Sequence, residues 1–367
     1  MTPNILPRQH IGIIGGGLAA KLLTLQAQQM GYYVGVLTET RDEPAAKVAD
    51  WVIESQVDEL DGLLELAEKS SVLTFVTEEV DLDVLEKLKH YIQLPQLSKS
   101  LSVIQDRLIE KVFLESQNIN VPPYATITTI SDITEAVQSI GYPCVMKPIR
   151  VEVGQPANVY LNSEEDFHKA EKVLETGSCI LESWIPFEKE LAVTLAIDSE
   201  GEVTAFPIVE TQFKEGILSN TQNPAKIDED MQEAILDMSH TISRAMELTG
   251  LLTIELFVTS AGTFYVKRLT ATPHVMANYT LDTSNLSQYE ALIRIICGLP
   301  LPKIETHQPS ITYYLDKNQI EEATEKMLDH PEWHIRFYDR EECSNTHVMG
   351  QLTIFNPEPE IIQENES

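Results

Sequence analysis

Basic residues are scarce in this sequence. Its 367 residues include 26 Lys and Arg against 57 Asp and Glu, which gives a formal net charge of −31. Such an acidic chain repels the phosphates of nucleic acids and the headgroups of anionic membranes, so we expect neither as a partner. An excess of acidic residues is also typical of a soluble protein surface.

Cysteines and long apolar runs are scarce as well. The four cysteines (Cys144, Cys179, Cys297, Cys343) are scattered, and none belongs to a CxxC pair. This pattern favours reduced, mostly buried thiols over a disulfide framework. No apolar run approaches the length of a membrane-spanning helix, and the first residues lack a signal-peptide pattern. These absences predict a cytoplasmic protein that does not cross a membrane.

The N-terminal segment alternates apolar strands with an amphipathic helix. Ile11–Ile14 has the pattern of a short strand, and Leu18–Met30 has the pattern of a helix that ends at Gly31. Tyr32–Leu37 has the pattern of the next strand. This order predicts an α/β fold that begins with a doubly wound parallel sheet.

The pattern changes in the middle of the chain. Gln105–Ser116 predicts a helix that carries Arg107 and Lys111 on one face, because the two residues are four apart. Short strands and two polar helices over residues 122–185 predict a small α+β lobe. A smaller β-rich unit with an acidic tail is predicted at the C-terminus. The predicted domains are 1–95, 96–302 and 303–367.

A run of three glycines follows the first predicted strand and opens the first predicted helix. A tight turn of this kind can direct backbone N–H groups at an anion near a helix N-terminus. Gly15 and Gly17, with Glu39 further on, also fit a dinucleotide-binding fingerprint. A purely structural turn explains the glycines equally well, so all three interpretations stay open.

Two predicted strands flank a turn at Ala261–Thr263. The first strand carries Glu255, and the second carries Lys267 and Arg268. Neighbouring strands that each offer an inward acid can hold Mg²⁺ against the phosphates of a nucleotide. Here the second strand offers two cations, so we expect no metal. Strand alternation instead predicts an ion pair between Glu255 and an inward-facing Arg268.

Several further segments have characteristic composition and spacing. They are Ile11–Gly17, Gln105–Lys111, Gly141–Lys147, Glu210–Leu218, Ser287–Glu290, Gly298–Leu301 and His330–His334. Together their order and spacing resemble the ATP-grasp superfamily, and within it the 5-(carboxyamino)imidazole ribonucleotide synthase family of purine biosynthesis. The resemblance implies a doubly wound N-terminal domain, ATP-grasp lobes, a small C-terminal β-rich unit and a homodimer.

The resemblance also implies roles for individual residues. Lys267 and Arg268 stand at the family's Asn and acid positions, and because they replace those residues we expect them to be non-catalytic. The implied nucleotide contacts are Arg107, Lys111, Lys147, Glu182, Ser183, Trp184, Ile185 and Glu190. The implied ribonucleotide contacts are Gly16, Gly17, Glu78 and His274. Trp184 is equally compatible with ordinary core packing.

The sequence departs from the family pattern in the loop after Lys147. The family has a glycine-rich loop there that folds over the triphosphate. In Pro148–Asn158 only Gly154 remains, beside two β-branched valines and two prolines. We expect this loop to be unable to cradle a triphosphate in the usual way, and we expect Arg150–Asn158 to be less mobile than a glycine loop.

These observations lead to one principal hypothesis and two alternatives. The family reaction is the ATP-dependent carboxylation of 5-aminoimidazole ribonucleotide with bicarbonate, and we expect this activity to be impaired or lost here. ATP remains the expected nucleotide. The first alternative is an inactive protein that binds a nucleotide or ribonucleotide and regulates a partner. The second is a nicotinamide-dependent oxidoreductase, supported only by the glycine turn and Glu39.

Overall fold

The computed structural model describes residues 4–96, 98–150, 158–175, 177–338 and 348–357. The strands, in chain order, are β1 (His10–Ile14), β2 (Tyr33–Thr38), β3 (Trp51–Glu54), β4 (Val72–Phe75), β5 (Tyr124–Ile127), β6 (Cys144–Pro148), β7 (Val159–Leu161), β8 (Cys179–Ser183), β9 (Phe187–Ile197), β10 (Val203–Ala205), β11 (Val209–Lys214), β12 (Ile217–Asn223), β13 (Gly250–Thr259), β14 (Phe264–Thr270), β15 (Ser310–Leu315), β16 (His334–Phe337) and β17 (Gly350–Phe355). The α-helices are α1 (Leu18–Gln29), α2 (Leu60–Glu68), α3 (Leu82–Leu88), α4 (Ser98–Gln105), α5 (Arg107–Ser116), α6 (Ile130–Ile140), α7 (Phe167–Leu174), α8 (Glu229–Met246), α9 (Thr280–Thr283), α10 (Gln288–Ile296) and α11 (Lys317–Lys326).

The chain divides into two compact units, neither of which is one continuous segment. The first unit comprises residues 1–97, 191–253 and 270–367, and the second comprises residues 98–190 and 254–269. This division groups residues by packing. It does not test the domain bounds proposed from the sequence, which stay a prediction.

The N-terminal part of the first unit is a parallel sheet with strand order β3-β2-β1-β4. Ile11 pairs with Val34 on one side and with Val72 on the other. Such a central strand is covered on both faces, which explains its unbroken apolar sequence. After β1, Gly15 adopts φ +114°, a conformation that favours glycine. The parallel α/β start predicted from the sequence is confirmed.

The rest of the first unit is mostly antiparallel. From residue 191 onward its strands follow the order β9-β11-β12-β15-β17-β16, with β10 paired to β9. β9 and β10 form an antiparallel hairpin, with Val203 opposite Ile197. The β-rich C-terminal segment is also confirmed, since Leu352 of β17 pairs with both Tyr313 and Ile335.

The second unit contains a four-stranded antiparallel sheet of order β5-β8-β6-β7. Its apolar face packs on α6 and α7 through Ile133, Met146, Val173 and Leu181, all of which are buried. This is the small α+β lobe that the sequence predicts. In the same unit, β14 lies beside β13. The N–H of Val266 donates to the carbonyl of Asn120 (2.8 Å), which ties β14 to the segment after α5.

Three cysteines are free, buried thiols, as predicted. Burial raises the pKa of Cys144 to about 11, so this thiol stays protonated at neutral pH. Cys343 lies outside the described residues. Among the residues that the structure describes, no helix combines the length and apolar character needed to cross a membrane. The glycine-poor loop singled out above also falls outside the description over residues 151–157.

Candidate functional site

The second unit contains a cavity of about 200 Å³ whose walls are mostly charged. It is lined by Arg107, Glu110, Lys111, Lys147, Asn158, Glu182, Glu255, Lys267 and Arg268. Five of these side chains are cationic and three are carboxylates, which leaves an excess of two positive charges. In a chain with a net charge of −31, this local excess makes the cavity a candidate site for an anion.

Helix α5 supplies one wall of the cavity. Asp106 caps the helix by accepting hydrogen bonds from the N–H groups of Leu108 and Ile109, both at 3.0 Å. Arg107 and Lys111 both line the cavity, as their spacing predicts. Glu110, which the sequence analysis did not assign, lines it too and accepts a hydrogen bond from the N–H of Leu269 (3.3 Å).

The carboxylate of Glu182 is held between two lysines. Its Oε2 lies 2.6 Å from Nζ of Lys147, and its Oε1 lies 3.1 Å from Nζ of Lys111. Lys111 also lies 5.6 Å from the centre of the Tyr124 ring. Burial alone would raise the pKa of Glu182, but the two ammonium groups outweigh burial and lower it. Glu182 is therefore a fixed negative charge that positions both lysines.

Lys267 has the opposite arrangement, a cation held between two carboxylates. Its Nζ lies 2.8 Å from Oε2 of Glu190 and 3.1 Å from Oε2 of Glu255. The ammonium group also lies 5.4 Å from the centre of the Phe257 ring. Burial alone would lower the pKa of Lys267, but the two carboxylates outweigh it and raise it. Lys267 therefore stays protonated at neutral pH.

This contact gives Glu255 a partner that the sequence did not predict. Alternation along β14 predicted Arg268 as a partner of Glu255, and the structure shows the preceding residue, Lys267, 3.1 Å from that carboxylate; the Glu255–Arg268 pair stays a prediction. Arg268 still lines the cavity, so the prediction that it faces the site holds. The direction of a side chain follows from period-two alternation, but the facing partner depends on strand register and on the length of the side chain.

The same residues provide a poor donor set for Mg²⁺. Magnesium requires several oxygen ligands at about 2.0–2.1 Å in near-octahedral geometry. Glu255 and Glu190 already bind the ammonium of Lys267, and Arg268 adds a second positive charge to the cavity. The described residues include no cluster of three or more His, Cys, Asp or Glu side chains able to hold a metal ion.

The segment after Glu182 is placed differently from the cavity lining. The N–H of Ser183 donates to the carbonyl of Pro123 (2.8 Å), and the N–H of Trp184 donates to the carbonyl of Pro143 (3.1 Å). Ser183, Trp184 and Ile185 do not line the cavity, although all three lie within the described part of the chain. The Trp184 side chain is 40% exposed and contacts Tyr160 and Phe187 edgewise or at a tilt, so it is not plain core.

Four predicted ribonucleotide contacts lie in the first unit. Gly16 has a packing reason to be glycine, since a Cβ there would lie 2.0 Å from Oγ1 of Thr38 and 2.8 Å from Cβ of Glu43. Gly17 has open space around it and is the N-cap residue of α1. The carboxylate of Glu78 accepts a hydrogen bond from the N–H of Ala271 (3.3 Å).

The fourth of these residues, His274, is positioned through its backbone. Its N–H donates to Oε1 of Gln288 (3.0 Å), and its carbonyl accepts from Nε2 of the same side chain (2.8 Å). Near the glycine turn, burial and then the charge of Glu39 raise the pKa of Glu43. Two acidic side chains, Glu39 and Glu43, therefore lie close enough to repel one another near the turn.

Comparisons with known proteins agree with this architecture. Residues 8–105 match the ribonucleotide synthetase preATP-grasp domain, and residues 112–289 match the ATP-grasp domain. The N5-carboxyaminoimidazole ribonucleotide synthase of Bacillus subtilis (strain 168) is 34% identical over 98% of this chain and 95% of its own length. The glycine turn that suggested a nicotinamide site thus lies within the preATP-grasp match.

Two solved structures are similar over the whole chain. A crystal structure of an ADP complex of N5-carboxyaminoimidazole ribonucleotide synthetase has a TM-score of 0.93 at 34% identity, covering 100% of this chain and 97% of that one. The Staphylococcus aureus N5-carboxyaminoimidazole synthetase complexed with ADP has a TM-score of 0.92 at 28% identity, covering 99% and 97%.

Proposed function

The chain belongs to the N5-carboxyaminoimidazole ribonucleotide synthase family, and from that premise we propose what it retains of the family's chemistry. It binds an adenine nucleotide in the cavity of the second unit. It carboxylates 5-aminoimidazole ribonucleotide, with ATP and bicarbonate, slowly or not at all.

Three cations support nucleotide binding. Arg107, Lys111 and Lys147 line the cavity, and the two lysines are held in place by Glu182. Lysine and arginine side chains that are fixed before the ligand arrives lose little conformational freedom on binding phosphate. Similar proteins have been crystallised as ADP complexes.

One contact carries the proposal that carboxylation is impaired: the 3.1 Å ion pair between Lys267 and Glu255. Making carboxyphosphate from ATP and bicarbonate requires charge on the transferred phosphoryl group to be neutralised, and Mg²⁺ usually supplies this. Glu255 is already engaged by a lysine, and the neighbouring strand offers a second cation instead of a second carboxylate. The transition state therefore lacks the stabilisation that a Mg²⁺ ion held by two carboxylates would supply.

The decisive experiment measures phosphate release from ATP in the presence of bicarbonate, Mg²⁺ and 5-aminoimidazole ribonucleotide. The Bacillus subtilis relative serves as the positive control. We expect kcat/KM to be lower by about 100-fold or more, as is usual when one electrostatic element of an active site is lost. Ribonucleotide-dependent turnover equal to that of the relative would refute the impairment.

Nucleotide binding is tested separately, by thermal shift and calorimetry with ADP and ATP. Binding without turnover favours the inactive, regulatory alternative, which the Lys267–Glu255 contact also supports. Absence of binding by either nucleotide, with and without Mg²⁺, would refute the first half of the proposal. The homodimer stays a prediction, which light scattering at micromolar concentration would check.

A further inference from the structure

We propose that the cavity of the second unit takes a metal-free nucleoside polyphosphate, and that Mg²⁺ weakens its binding. The inference rests on the proposed function, because it assumes that a nucleotide is the ligand. It goes further in two ways. It states that the nucleotide binds without Mg²⁺, and it assigns to the ammonium group of Lys267 the position that the metal ion would occupy.

The first support is the position of Lys267. Its ammonium nitrogen lies within 2.8–3.1 Å of one carboxylate oxygen each from Glu190 and Glu255. A divalent ion bridging the same oxygens would occupy the same space. For Mg²⁺ to enter, Lys267 would have to leave both carboxylates while remaining close to a doubly charged ion. The fixed ammonium therefore excludes the metal both sterically and electrostatically.

The second support is the charge balance around the cavity. The lining has an excess of two positive charges, and the excess is still one when Glu190, the second partner of Lys267, is counted. Free ADP and ATP carry more negative charge than their Mg²⁺ complexes do. A cationic cavity attracts the free anion more strongly, since Coulomb energy scales with the product of the charges.

The third support is Arg107, which lines the cavity. Its Nε is buried without a hydrogen-bond partner among the described residues. Burial and then the nearby Arg268 lower the pKa of Arg107, and burial lowers that of Lys147. Bringing an anion into the cavity relieves this repulsion between cations. A guanidinium can also bind phosphate through two parallel hydrogen bonds, without a metal bridge.

The test is isothermal titration calorimetry of the full chain with ADP, first with EDTA and then with millimolar Mg²⁺. We expect ADP to bind at least about threefold more tightly without the metal. Binding only in the presence of Mg²⁺, or clearly tighter binding with it, would overturn the inference and leave the proposed function standing. No binding under either condition would overturn both.

Titrations with AMP and with pyrophosphate identify which part of the ligand the cavity recognises. We expect the metal effect to grow from AMP to ADP, because the number of phosphate charges increases. Pyrophosphate binding as tightly as ADP would overturn the assignment to a nucleoside, since the adenosine would then contribute nothing.

A paired substitution provides the reciprocal test. Lys267→Asn combined with Arg268→Glu returns an amide and a carboxylate to β14, beside Glu255 on β13. We expect the sign of the Mg²⁺ effect to reverse, with ADP binding several-fold more tightly in its presence. The matched control is Lys172→Asn on α7, an exposed lysine of the same unit outside the cavity lining, which should leave the metal effect unchanged.

Mn²⁺ provides a readout that does not depend on affinity for ADP. Electron paramagnetic resonance should show Mn²⁺ remaining free when it is mixed with the unaltered chain alone. The doubly substituted chain should bind Mn²⁺. Metal binding by the unaltered chain and loss of that binding on Glu255→Gln would overturn the inference directly, because the carboxylate would then be a working metal ligand.

Discussion

The cavity contains two charge clusters that are inverse images of one another. In the first, which we call the Glu182 cluster, one carboxylate lies between Lys111 and Lys147. In the second, the Lys267 cluster, one ammonium group lies between Glu190 and Glu255. Both are buried or largely buried groups of three charges with contacts between 2.6 and 3.1 Å. They differ in the sign of the central group.

That difference determines what each cluster can do for a ligand. The Glu182 cluster has one surplus positive charge, and both of its lysines line the cavity. It positions cations for phosphate. The Lys267 cluster has two carboxylates that a metal could use, but they are already neutralised in part by an ammonium group on the neighbouring strand. On the proposed function, the Glu182 cluster binds the nucleotide, and the Lys267 cluster has an internal ion pair where a metal would otherwise bind.

The largest effect is expected from removing the centre of the Glu182 cluster. Glu182→Gln leaves Lys111, which is 3% exposed, and Lys147 without a counterion. Breaking a buried ion pair by deleting one partner typically costs about 3–5 kcal/mol. Urea unfolding followed by circular dichroism should show a loss in that range. The control, Glu188→Gln at an exposed position, should change stability by less than about 0.5 kcal/mol.

Removal of the central lysine should have a smaller effect on stability. Lys267→Met leaves Glu190 and Glu255 facing each other, but the side chain of Lys267 is 23% exposed and water reaches it more easily. We expect a loss of about 2 kcal/mol. Added Mg²⁺ should restore part of the melting temperature of this variant and none of that of Glu182→Gln. Equal restoration in both variants would contradict the distinction between the clusters.

The two clusters should also respond to opposite ends of the pH scale. The pKa of Glu182 is lowered on folding, so its stabilisation is present above its usual value of about 4.3 and is lost as pH falls through the lower folded value. The pKa of Lys267 is raised on folding. The contribution of its ammonium group to the stability of the fold is therefore fully present below the usual lysine pKa of about 10.4, and it is lost as the pH rises through the higher pKa of the folded state.

These windows are measured as differences in unfolding free energy between the unaltered chain and each variant. The Glu182→Gln difference should shrink in acid, and the Lys267→Met difference should shrink in alkali. A Glu182→Gln difference that stays constant down to the lowest pH at which the chain folds would show that the carboxylate charge is not what stabilises its cluster.

The smallest effect on stability is expected at Arg107. Its buried Nε has no hydrogen-bond partner among the described residues, and Arg107→Met removes repulsion from Arg268 together with attraction to three nearby glutamates, which offset one another in part. Stability should change by less than about 1 kcal/mol. ADP affinity should fall about tenfold or more, which is typical of losing a charge-assisted hydrogen bond. A large loss of stability with unchanged affinity would make Arg107 a structural residue.

Local sequence patterns predicted much of the site. The spacing of Arg107 and Lys111 placed both on the cavity face of α5, and the family resemblance selected Lys147, which lies near the end of β6 and lines the cavity. Glu110 was missed, although it lies three residues after Arg107 and that spacing indicates a shared helix face. The prediction for Glu182 was also incomplete, because it did not include the ion pairs with two lysines. These lysines lie on α5 and β6, far from Glu182 in sequence.

By itself, the sequence determined the order of strands and helices, the glycine turn after β1, and the presence of two cations where a metal site needs acids. These features depend on local periodicity and residue chemistry, which can be read from a short stretch of sequence without knowledge of what packs against it. Tertiary structure alone decided that Lys267 reaches Glu255 and that Glu190 joins the same ammonium group. Such contacts depend on how segments distant in sequence are aligned and how far each side chain extends, and local periodicity specifies neither.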